Sequence, residues 1–285
     1  MAETIRCLHV SEIAKATAHA FVQANKALPP DVCRALKTAA SAETFPLCKN
    51  VLSRLCENLV IASEADLPIC QDTGVATAFA EIGRCVHITG GTLQEAVDAG
   101  VREAYLDGKL RCSVVADPLY ERKNTADNTP VFLHIRQTEG DRLRLVCMPK
   151  GFGSENMSRM AMLSPSAGED DIVSFVCDTV RRAGGRPCPP LVLGIGIGGT
   201  FDTVTEMAKH SLTIPIDHRN DDSRYAALAD RILHAVNDTG VGAQGFGGSI
   251  TALGVSIETA PTHIAGLPVA VCCCCHAHRR AEVVL

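Results

Sequence analysis

The chain has 285 residues, which is long enough for one large or two ordinary domains with a substantial core. Only 4% of the residues are aromatic and Trp is absent, so aliphatic side chains and Cys must fill that core. The net charge of −5 and the lack of clustered Lys and Arg argue against nucleic acid as a partner.

The N-terminal sequence MAETIRCLHVSEIAKA is charged throughout and lacks the apolar core of a signal peptide. No run approaches the roughly 18 apolar residues of a membrane span, so we expect a cytoplasmic protein without membrane contact. The 14 Cys are about 5% of the chain, below the share that is typical of small disulfide scaffolds. Without an export signal, reduced thiols or metal ligands are the better interpretation.

The first part of the chain has helical periodicity. Apolar residues recur at three- and four-residue spacing between Val10 and Val22, which predicts a helix that ends before Pro29. Two further helical patterns cover residues 32–36 and 47–60. We therefore predict a helical segment over residues 1–65, followed by strands and helices over 66–280.

The pattern changes at the sequence LPICQDTG, where Pro and Gly flank a single thiol, Cys70. An amide, a carboxylate and a hydroxyl follow it. A rigid loop of this kind suits a ligand with substrate-binding neighbours, and an ordinary turn is the alternative. We predict strands over 75–80 and 85–88 next, and Thr92 and Glu95 form a capping box that opens a helix.

A long polar loop that includes NTADNTP precedes two predicted strands, 131–136 and 142–147, which we expect to pair as a hairpin through Glu139–Asp141. The segment PKGFGSEN then offers backbone N–H groups that could bind an anion such as a carboxylate. A plain strand-to-helix connection is the alternative. A helix is predicted over 172–180, ended by Gly184.

A second thiol, Cys188, lies between prolines, which fix the direction of its side chain. Beyond it, Gly194, Gly196 and Gly199 match the dinucleotide fingerprint after an apolar strand, and Asp217 lies near the expected distance downstream. A dinucleotide-binding oxidoreductase is therefore a competing interpretation. After two predicted helices, 204–210 and 225–236, a glycine-rich loop over 240–248 allows close approach of a ligand or a second chain.

Four consecutive thiols near the end of the chain are its most unusual feature, in the sequence LPVAVCCCCHAHRR. After a predicted strand over 253–258, this run also reads as a strand, in which Cys273 and Cys275 share one face and Cys272 and Cys274 share the other. Burial as small hydrophobic side chains suits the first three. Cys275 leaves the apolar run and meets two His and two Arg, where a thiolate would be stabilised.

Six blocks together resemble the alpha subunit of class I fumarate hydratases and the related L-tartrate dehydratases. The resemblance covers nearly everything from Leu67 to Arg280, and the blocks are, in chain order, LPICQDTG, LRCSVVADP with NTADNTP, PKGFGSEN, CPPLVLGIGIGGT, THIAGLPVAV and CHAHRR. The spacing of the thiols alone would not select three of them. The family binds a four-iron four-sulfur (4Fe-4S) cluster through three Cys, and block by block these match Cys70, Cys188 and Cys275.

The resemblance implies a chemistry for these positions. Three thiolates leave one iron without a protein ligand, so it can act as a Lewis acid on the hydroxyl and a carboxylate oxygen of a substrate. The positions that match the family's substrate contacts are Gln71, Asp72, Arg111 and Gly153. Arg111 would bind a carboxylate and Asp72 the substrate hydroxyl or an iron-bound water, while the Gly153 amide would meet a carboxylate oxygen. Phe152 departs from the small residue that many relatives have there, which affects the expected shape of this loop.

The implied reaction is the reversible dehydration of a 2-hydroxy dicarboxylic acid, malate to fumarate in the tricarboxylic acid cycle. Conversion of tartrate to oxaloacetate is the alternative, and a non-catalytic iron–sulfur or redox-sensing protein is another. Class I enzymes carry their base in a second domain or a beta subunit. We therefore expect a hydro-lyase that is inactive without a beta subunit, with which it forms a heterodimer or heterotetramer.

The expected architecture is mixed α/β. We predict a single hydro-lyase domain over residues 1–285, with a helical N-terminal segment followed by mixed sheets and flanking helices. A division into two lobes around the cluster is one arrangement that such a domain could take.

Overall fold

The computed structural model describes residues 5–285. Their strands and helices are, in chain order, β1 (Arg6–His9), α1 (Val10–Lys26), α2 (Pro30–Ala42), α3 (Pro46–Glu64), β2 (Val75–Gly83), β3 (Val86–Thr89), α4 (Leu93–Asp107), β4 (Phe132–Thr138), β5 (Leu143–Lys150), α5 (Phe152–Glu155), β6 (Arg159–Leu163), α6 (Glu169–Ala183), β7 (Leu191–Gly198), α7 (Phe201–His210), α8 (Ser223–Asn237), β8 (Ala252–Ala260), β9 (Leu267–Cys274) and β10 (Ala281–Val284). The predicted mixed α/β class is confirmed. Within these residues, no helix has both the length and the apolar character that crossing a membrane requires.

The described chain forms two compact units. The first unit comprises the residues up to Pro29, Ile61–Gly151 and Arg279–Leu285, and the second comprises Pro30–Val60 and Phe152–His278. Each unit contains a four-stranded sheet. The single domain over residues 1–285 stays a prediction.

In the first unit, α1 and α4 pack closely beside the sheet. A methyl group at Gly100 of α4 would lie 2.4 Å from the carbonyl oxygen of Ala14 in α1, so a residue without Cβ is needed where these helices meet. The predicted capping box opens α4, because the Glu95 carboxylate accepts from the Thr92 N–H at 2.8 Å and the Thr92 hydroxyl accepts from the Glu95 N–H at 3.2 Å. A small parallel pair of β1 and β3 completes this unit.

The sheet of the first unit has the order β10-β5-β2-β4. The predicted hairpin of residues 131–136 with 142–147 is therefore wrong, although both strands exist. β2 lies between β4 and β5, parallel to the former and antiparallel to the latter. The physical reason is burial: residues 76–80 of β2 are all buried, as a central strand requires, so β2 pairs along both of its edges.

The sheet of the second unit has the order β6-β9-β7-β8. β9 is antiparallel to both of its neighbours, and β7 is parallel to β8. Helices α6 and α8 bury an apolar face against β7 and β9, with Val176, Ile232 and Val236 fully buried. Helices α2 and α3 confirm the predicted helical patterns, and their buried residues Leu36 and Leu52 share a cluster with Ala243 of the glycine-rich loop.

Candidate functional site

Cys70 lies in a loop of the first unit that hydrogen bonds hold in place. The Ile69 N–H donates to the carbonyl of Asn25 at 2.9 Å, and the Gly74 N–H donates to Asp72 Oδ1 at 2.9 Å. The Cys70 thiol is half-buried and lies 3.4 Å from Gln71 Oε1. The thiol and its polar neighbours are thus presented by a fixed backbone, as the LPICQDTG pattern led us to expect.

Two buried side chains support this loop from beneath. The Tyr105 hydroxyl lies 2.7 Å from the carbonyl of Thr73 and 3.1 Å from that of Gly74, and it donates to this pair. Burial raises the pKa of Tyr105 far above its usual range, so the hydroxyl stays a donor. Asn128 is fully buried and donates to the Gly74 carbonyl at 3.1 Å while accepting from the Ser113 N–H at 2.7 Å. The polar loop NTADNTP thereby braces the Cys70 loop.

Arg111 adjoins the same loop. The Thr73 hydroxyl donates to the Arg111 carbonyl at 2.9 Å, and the Arg111 residue itself is exposed. The structure therefore brings four of the predicted site residues together in the first unit, namely Cys70, Gln71, Asp72 and Arg111. An anchored backbone with an exposed guanidinium is suited to binding a carboxylate.

Two buried cations of the first unit were not identified from the sequence. Arg279 is 1% exposed, and its Nη1 donates to the Asn25 side-chain oxygen at 3.0 Å. A Cβ at Gly151 would lie 3.3 Å from Asp72 Oδ2 and 3.7 Å from Arg279 Nη2, so the guanidinium and the carboxylate flank the same glycine. Lys150, the residue before that glycine, is also fully buried. Buried cations favour a nearby anion, because burying a charge is costly unless it is compensated.

The remaining predicted residues lie in the second unit. Cys188 is exposed and adopts a left-handed backbone with φ +54°. Its carbonyl accepts from the backbone N–H of His276 at 3.3 Å and lies 3.0 Å from His276 Nδ1. Because His276 directly follows Cys275, the structure brings the Cys188 and Cys275 segments together.

Strand β9 ends at Cys274, as the run of four thiols led us to expect. Cys272, Cys273 and Cys274 are buried, whereas Cys275 lies beyond the strand and is half-buried. Burial disfavours a thiolate, and it raises the pKa of another buried thiol, Cys147, to about 12. Cys275 is thus the most accessible member of the run.

Gly153 lies in the short helix α5 and is exposed. A Cβ at Gly153 would lie 3.5 Å from the carbonyl of Arg186, which precedes Cys188 by two residues. The side chains of Lys209 and Glu155 form an ion pair that ties α5 to α7. Phe152, the departure noted above, is 48% exposed.

The donor chemistry of the three candidate thiols fits an iron–sulfur cluster. All fourteen cysteines are in the described part of the chain, and none forms a disulfide. Cys70, Cys188 and Cys275 are outside regular strands, where Cys188 is exposed and the other two are partly accessible, and soft thiolates are the ligands that such clusters use. Within residues 5–285, no three His, Cys, Asp or Glu side chains are arranged to bind a single metal ion. An iron–sulfur cluster does not require its protein ligands to converge on one ion, because each thiolate binds a different iron.

Comparison with known proteins gives the family. The family model described as "Fumarate hydratase (Fumerase)" matches residues 14–284. The chain belongs to the fumarate hydratase family. This membership confirms the resemblance identified from the six sequence blocks and the prediction of a hydro-lyase.

Curated relatives of this chain align over nearly their whole length. A protein of Methanocaldococcus jannaschii named "Putative L(+)-tartrate dehydratase subunit alpha" is 43% identical over 266 residues, which cover 92% of this chain and 93% of that protein. The "L(+)-tartrate dehydratase subunit alpha" of Escherichia coli O157:H7 is 29% identical over 287 residues, which cover 100% of this chain and 94% of that protein. Its counterpart in strain K12 is 28% identical with the same coverage.

The glycines that suggested a dinucleotide site have another role in this member of the fumarate hydratase family. Gly194 and Gly196 lie inside β7, whereas the fingerprint places its first glycine in the turn after a strand. A Cβ at Gly194 would lie 2.1 Å from the carbonyl oxygen of Ala208, and one at Gly196 would lie 2.3 Å from that of Val204. These glycines allow α7 to pack directly on the sheet, so the structure gives the oxidoreductase interpretation no support.

Proposed function

We propose that this chain is the alpha subunit of an iron–sulfur hydro-lyase that reversibly dehydrates malate to fumarate, a reaction of the tricarboxylic acid cycle. The observation that carries the proposal is the state of the three thiols that match the family's cluster ligands. Each lies on a loop fixed by hydrogen bonds, and none is buried. Family membership and the anchored Arg111 support it further.

Cys70, Cys188 and Cys275 are the proposed ligands of a four-iron four-sulfur cluster. When bound, this cluster supplies a Lewis-acidic iron that makes the leaving hydroxyl of the substrate less basic. The fully buried cations Lys150 and Arg279 favour negative charge near the Asp72 loop, and both a substrate carboxylate and a thiolate carry such charge.

The chain's own residues bind and orient the substrate in this proposal. Arg111 binds a carboxylate through charge-assisted hydrogen bonds, and the Gly153 N–H donates to a carboxylate oxygen. Asp72 accepts a hydrogen bond from the substrate hydroxyl, and its own direction is fixed by the Gly74 N–H at 2.9 Å. Gln71, beside Cys70, orients the substrate through its amide. These roles position the hydroxyl and leave the proton on the neighbouring carbon to a separate base.

That base belongs, in our proposal, to a beta subunit that forms a heterodimer or heterotetramer with this chain. The relatives in Methanocaldococcus jannaschii and Escherichia coli are named as alpha subunits, which supports a partner of this kind. The purified chain with its cluster should therefore not hydrate fumarate, and addition of the beta subunit should restore turnover. Full enzymatic turnover by the chain alone would contradict the proposed partner.

Tartrate is the second candidate substrate, because the relatives that align over nearly the whole chain are named tartrate dehydratases. Malate and tartrate differ by one hydroxyl, so the site must either accommodate or exclude that group. Steady-state kcat/KM values of the assembled pair for S-malate and both tartrate enantiomers separate the two. A higher kcat/KM for S-malate supports the proposal, and a higher value for L-tartrate replaces it with the alternative.

A further inference from the structure

We propose that the glycine-rich loop, residues 240–248, holds the Cys188 and Cys275 segments in position for the cluster, and that Gln244 is its positioning residue. The inference rests on the proposed function, since it assumes that both thiols are cluster ligands. The sequence suggested that this loop approaches a ligand or a second chain closely. In the structure it approaches two other segments of its own unit.

Gln244 contacts the residue that follows each of the two proposed ligands. Its backbone N–H donates to the carbonyl of Pro189 at 2.8 Å, and its side-chain Nε2 donates to the same oxygen at 2.9 Å. The same Nε2 lies 3.3 Å from Nδ1 of His276. One side chain therefore spans the segments that carry Cys188 and Cys275.

His276 closes this connection. Its Nδ1 lies 3.0 Å from the Cys188 carbonyl, which can only accept a hydrogen bond, so the ring proton is on Nδ1. Its backbone N–H donates to the same carbonyl at 3.3 Å. Gln244 Nε2 and His276 Nδ1 are then both donors, so Gln244 packs against a fixed ring, and its hydrogen bonds go to the Pro189 carbonyl.

The backbone at Gln244 indicates that its side chain has a purpose. Gln244 has φ +53°, in the left-handed region that glycine adopts without strain. Cys188, in the segment that Gln244 contacts, has φ +54°. Five other positions of the loop are glycine. Glycine would relieve the strain at residue 244 as well, but it would remove the amide that reaches Pro189. Strained positions of this kind persist where the surrounding contacts require them.

The opposite side of the loop is anchored to the helical hairpin of α2 and α3. The Ala243 N–H donates to Cys48 Sγ at 3.3 Å, and Glu43 accepts from the N–H groups of Ser249 at 2.8 Å and Ile250 at 3.1 Å. A Cβ at Gly242 would lie 1.9 Å from the Gly247 carbonyl oxygen, so the loop closes tightly on itself. A loop fixed in this way can hold ligand-bearing segments in one geometry, as metal sites require.

The test uses Gln244→Gly and Gln244→Asn, because both residues tolerate φ +53°. Both keep the backbone N–H bond to the Pro189 carbonyl, but neither has a side chain that reaches this carbonyl as that of Gln does. Arg122→Gly is the matched control: Arg122 has φ +49° and is exposed, so the substitution relieves similar strain in the unit that contains neither Cys188 nor Cys275. Far-UV circular dichroism and thermal unfolding first establish that all variants fold.

Two readouts follow. In protein without iron, hydrogen exchange of peptides that contain residues 276–278 should be at least about threefold faster in both Gln244 variants than in the wild type or Arg122→Gly. In the anaerobically reconstituted chain, a chelator should remove iron at least about threefold faster from both Gln244 variants, with a changed electron paramagnetic resonance spectrum. Wild-type exchange rates in the folded Gln244 variants would overturn the inference, and so would unchanged iron release. If the wild type takes up no iron, the proposed function fails, while the exchange result still decides whether Gln244 positions the two segments.

Discussion

His276 Nδ1 donates to the Cys188 carbonyl at 3.0 Å, which connects two residues that lie 88 positions apart in the chain. The contact joins the segment after the four-thiol run to the loop between Pro187 and Pro189. It explains how Cys275, which has left strand β9, keeps a defined position beside Cys188. The position of Cys275 relative to Cys188 therefore depends on contacts outside strand β9.

Two substitutions of His276 should distinguish the contribution of its hydrogen bond to stability from the contribution of its ring. His276→Asn can place an amide N–H where Nδ1 lies, whereas His276→Leu cannot donate. We expect His276→Leu to lower the free energy of unfolding by about 1 kcal/mol, because the Cys188 carbonyl loses one of its two hydrogen bonds, and His276→Asn to recover at least half of that loss. Urea unfolding of the chain without iron measures both. Equal stability of the two variants would show that the donor does not matter.

Glu43 should make the stability of the chain depend on acid pH. Burial acts to raise its pKa, but hydrogen bonds from the Phe45 N–H, the Cys48 thiol and Ser249 outweigh burial and lower the pKa from 4.5 to about 2. The lowered pKa stabilises the fold above pH 4.5, and the contribution is lost as the pH falls from 4.5 towards 2. Glu43→Gln should cost about 2–3 kcal/mol at pH 7 and should flatten this pH dependence.

Urea unfolding at pH 7, 5, 4 and 3 measures the effect of Glu43→Gln. Glu57→Gln is the control, because Glu57 is about half exposed on the same hairpin and forms a surface ion pair with Arg54. Surface pairs of this kind contribute little. If the free energy of unfolding of Glu43→Gln falls at acid pH as steeply as that of the wild type, Glu43 is not the group responsible for the pH dependence.

Gly194→Ala should destabilise the second unit by about 3 kcal/mol or more. The added methyl would lie 2.1 Å from the backbone oxygen of Ala208, which cannot move without displacing α7 from the sheet. Gly266→Ala is the control, because nothing lies within 4 Å of its added Cβ. Thermal unfolding compares the two.

NAD and NADP titrations of the wild type should show no tight binding, and tight binding would return support to the dinucleotide interpretation.

Arg111 should affect substrate affinity without affecting the cluster. Arg111→Lys keeps the charge but loses the bidentate fork, so we expect KM for the substrate to rise about 10- to 100-fold in the assembled pair. The iron content should stay at the wild-type value. Arg122→Lys, at an exposed position outside the candidate site, should leave KM unchanged. A KM for Arg111→Lys within twofold of the wild type would exclude Arg111 from carboxylate binding.

Local sequence patterns predicted the elements well, because capping and periodicity are local properties. Thr92 and Glu95 identified the start of α4, and the break between Cys274 and Cys275 was visible as the end of an apolar run. Strand partnership was less accessible. The expected hairpin failed because β2, far earlier in the chain, has two buried faces and takes the place between β4 and β5.

The six sequence blocks identified the candidate site residues, but they did not identify the side chains that hold these residues in place. Arg279 and Lys150 are polar in sequence and give no sign that they are buried, since burial depends on segments distant in the chain. The signal that could have identified Gln244 is that it is the polar side chain in a loop with five glycines. Gly194 and Gly196 match a known ligand-binding motif in the sequence, but in the structure they are glycines because α7 packs directly against their strand.

We propose that Cys275, and not its buried neighbours, completes a cluster with Cys70 and Cys188. Iron and acid-labile sulfide should be counted in the anaerobically reconstituted wild type, Cys275→Ser and Cys273→Ser, each shown to be folded by circular dichroism. Cys273 is buried in β9, with its sulfur 3.6 Å from the Met157 carbonyl. We expect about four iron and four sulfide per chain in the wild type and in Cys273→Ser, and a large loss in Cys275→Ser. A folded wild type without iron, or a Cys275→Ser variant that keeps the full cluster, would contradict it.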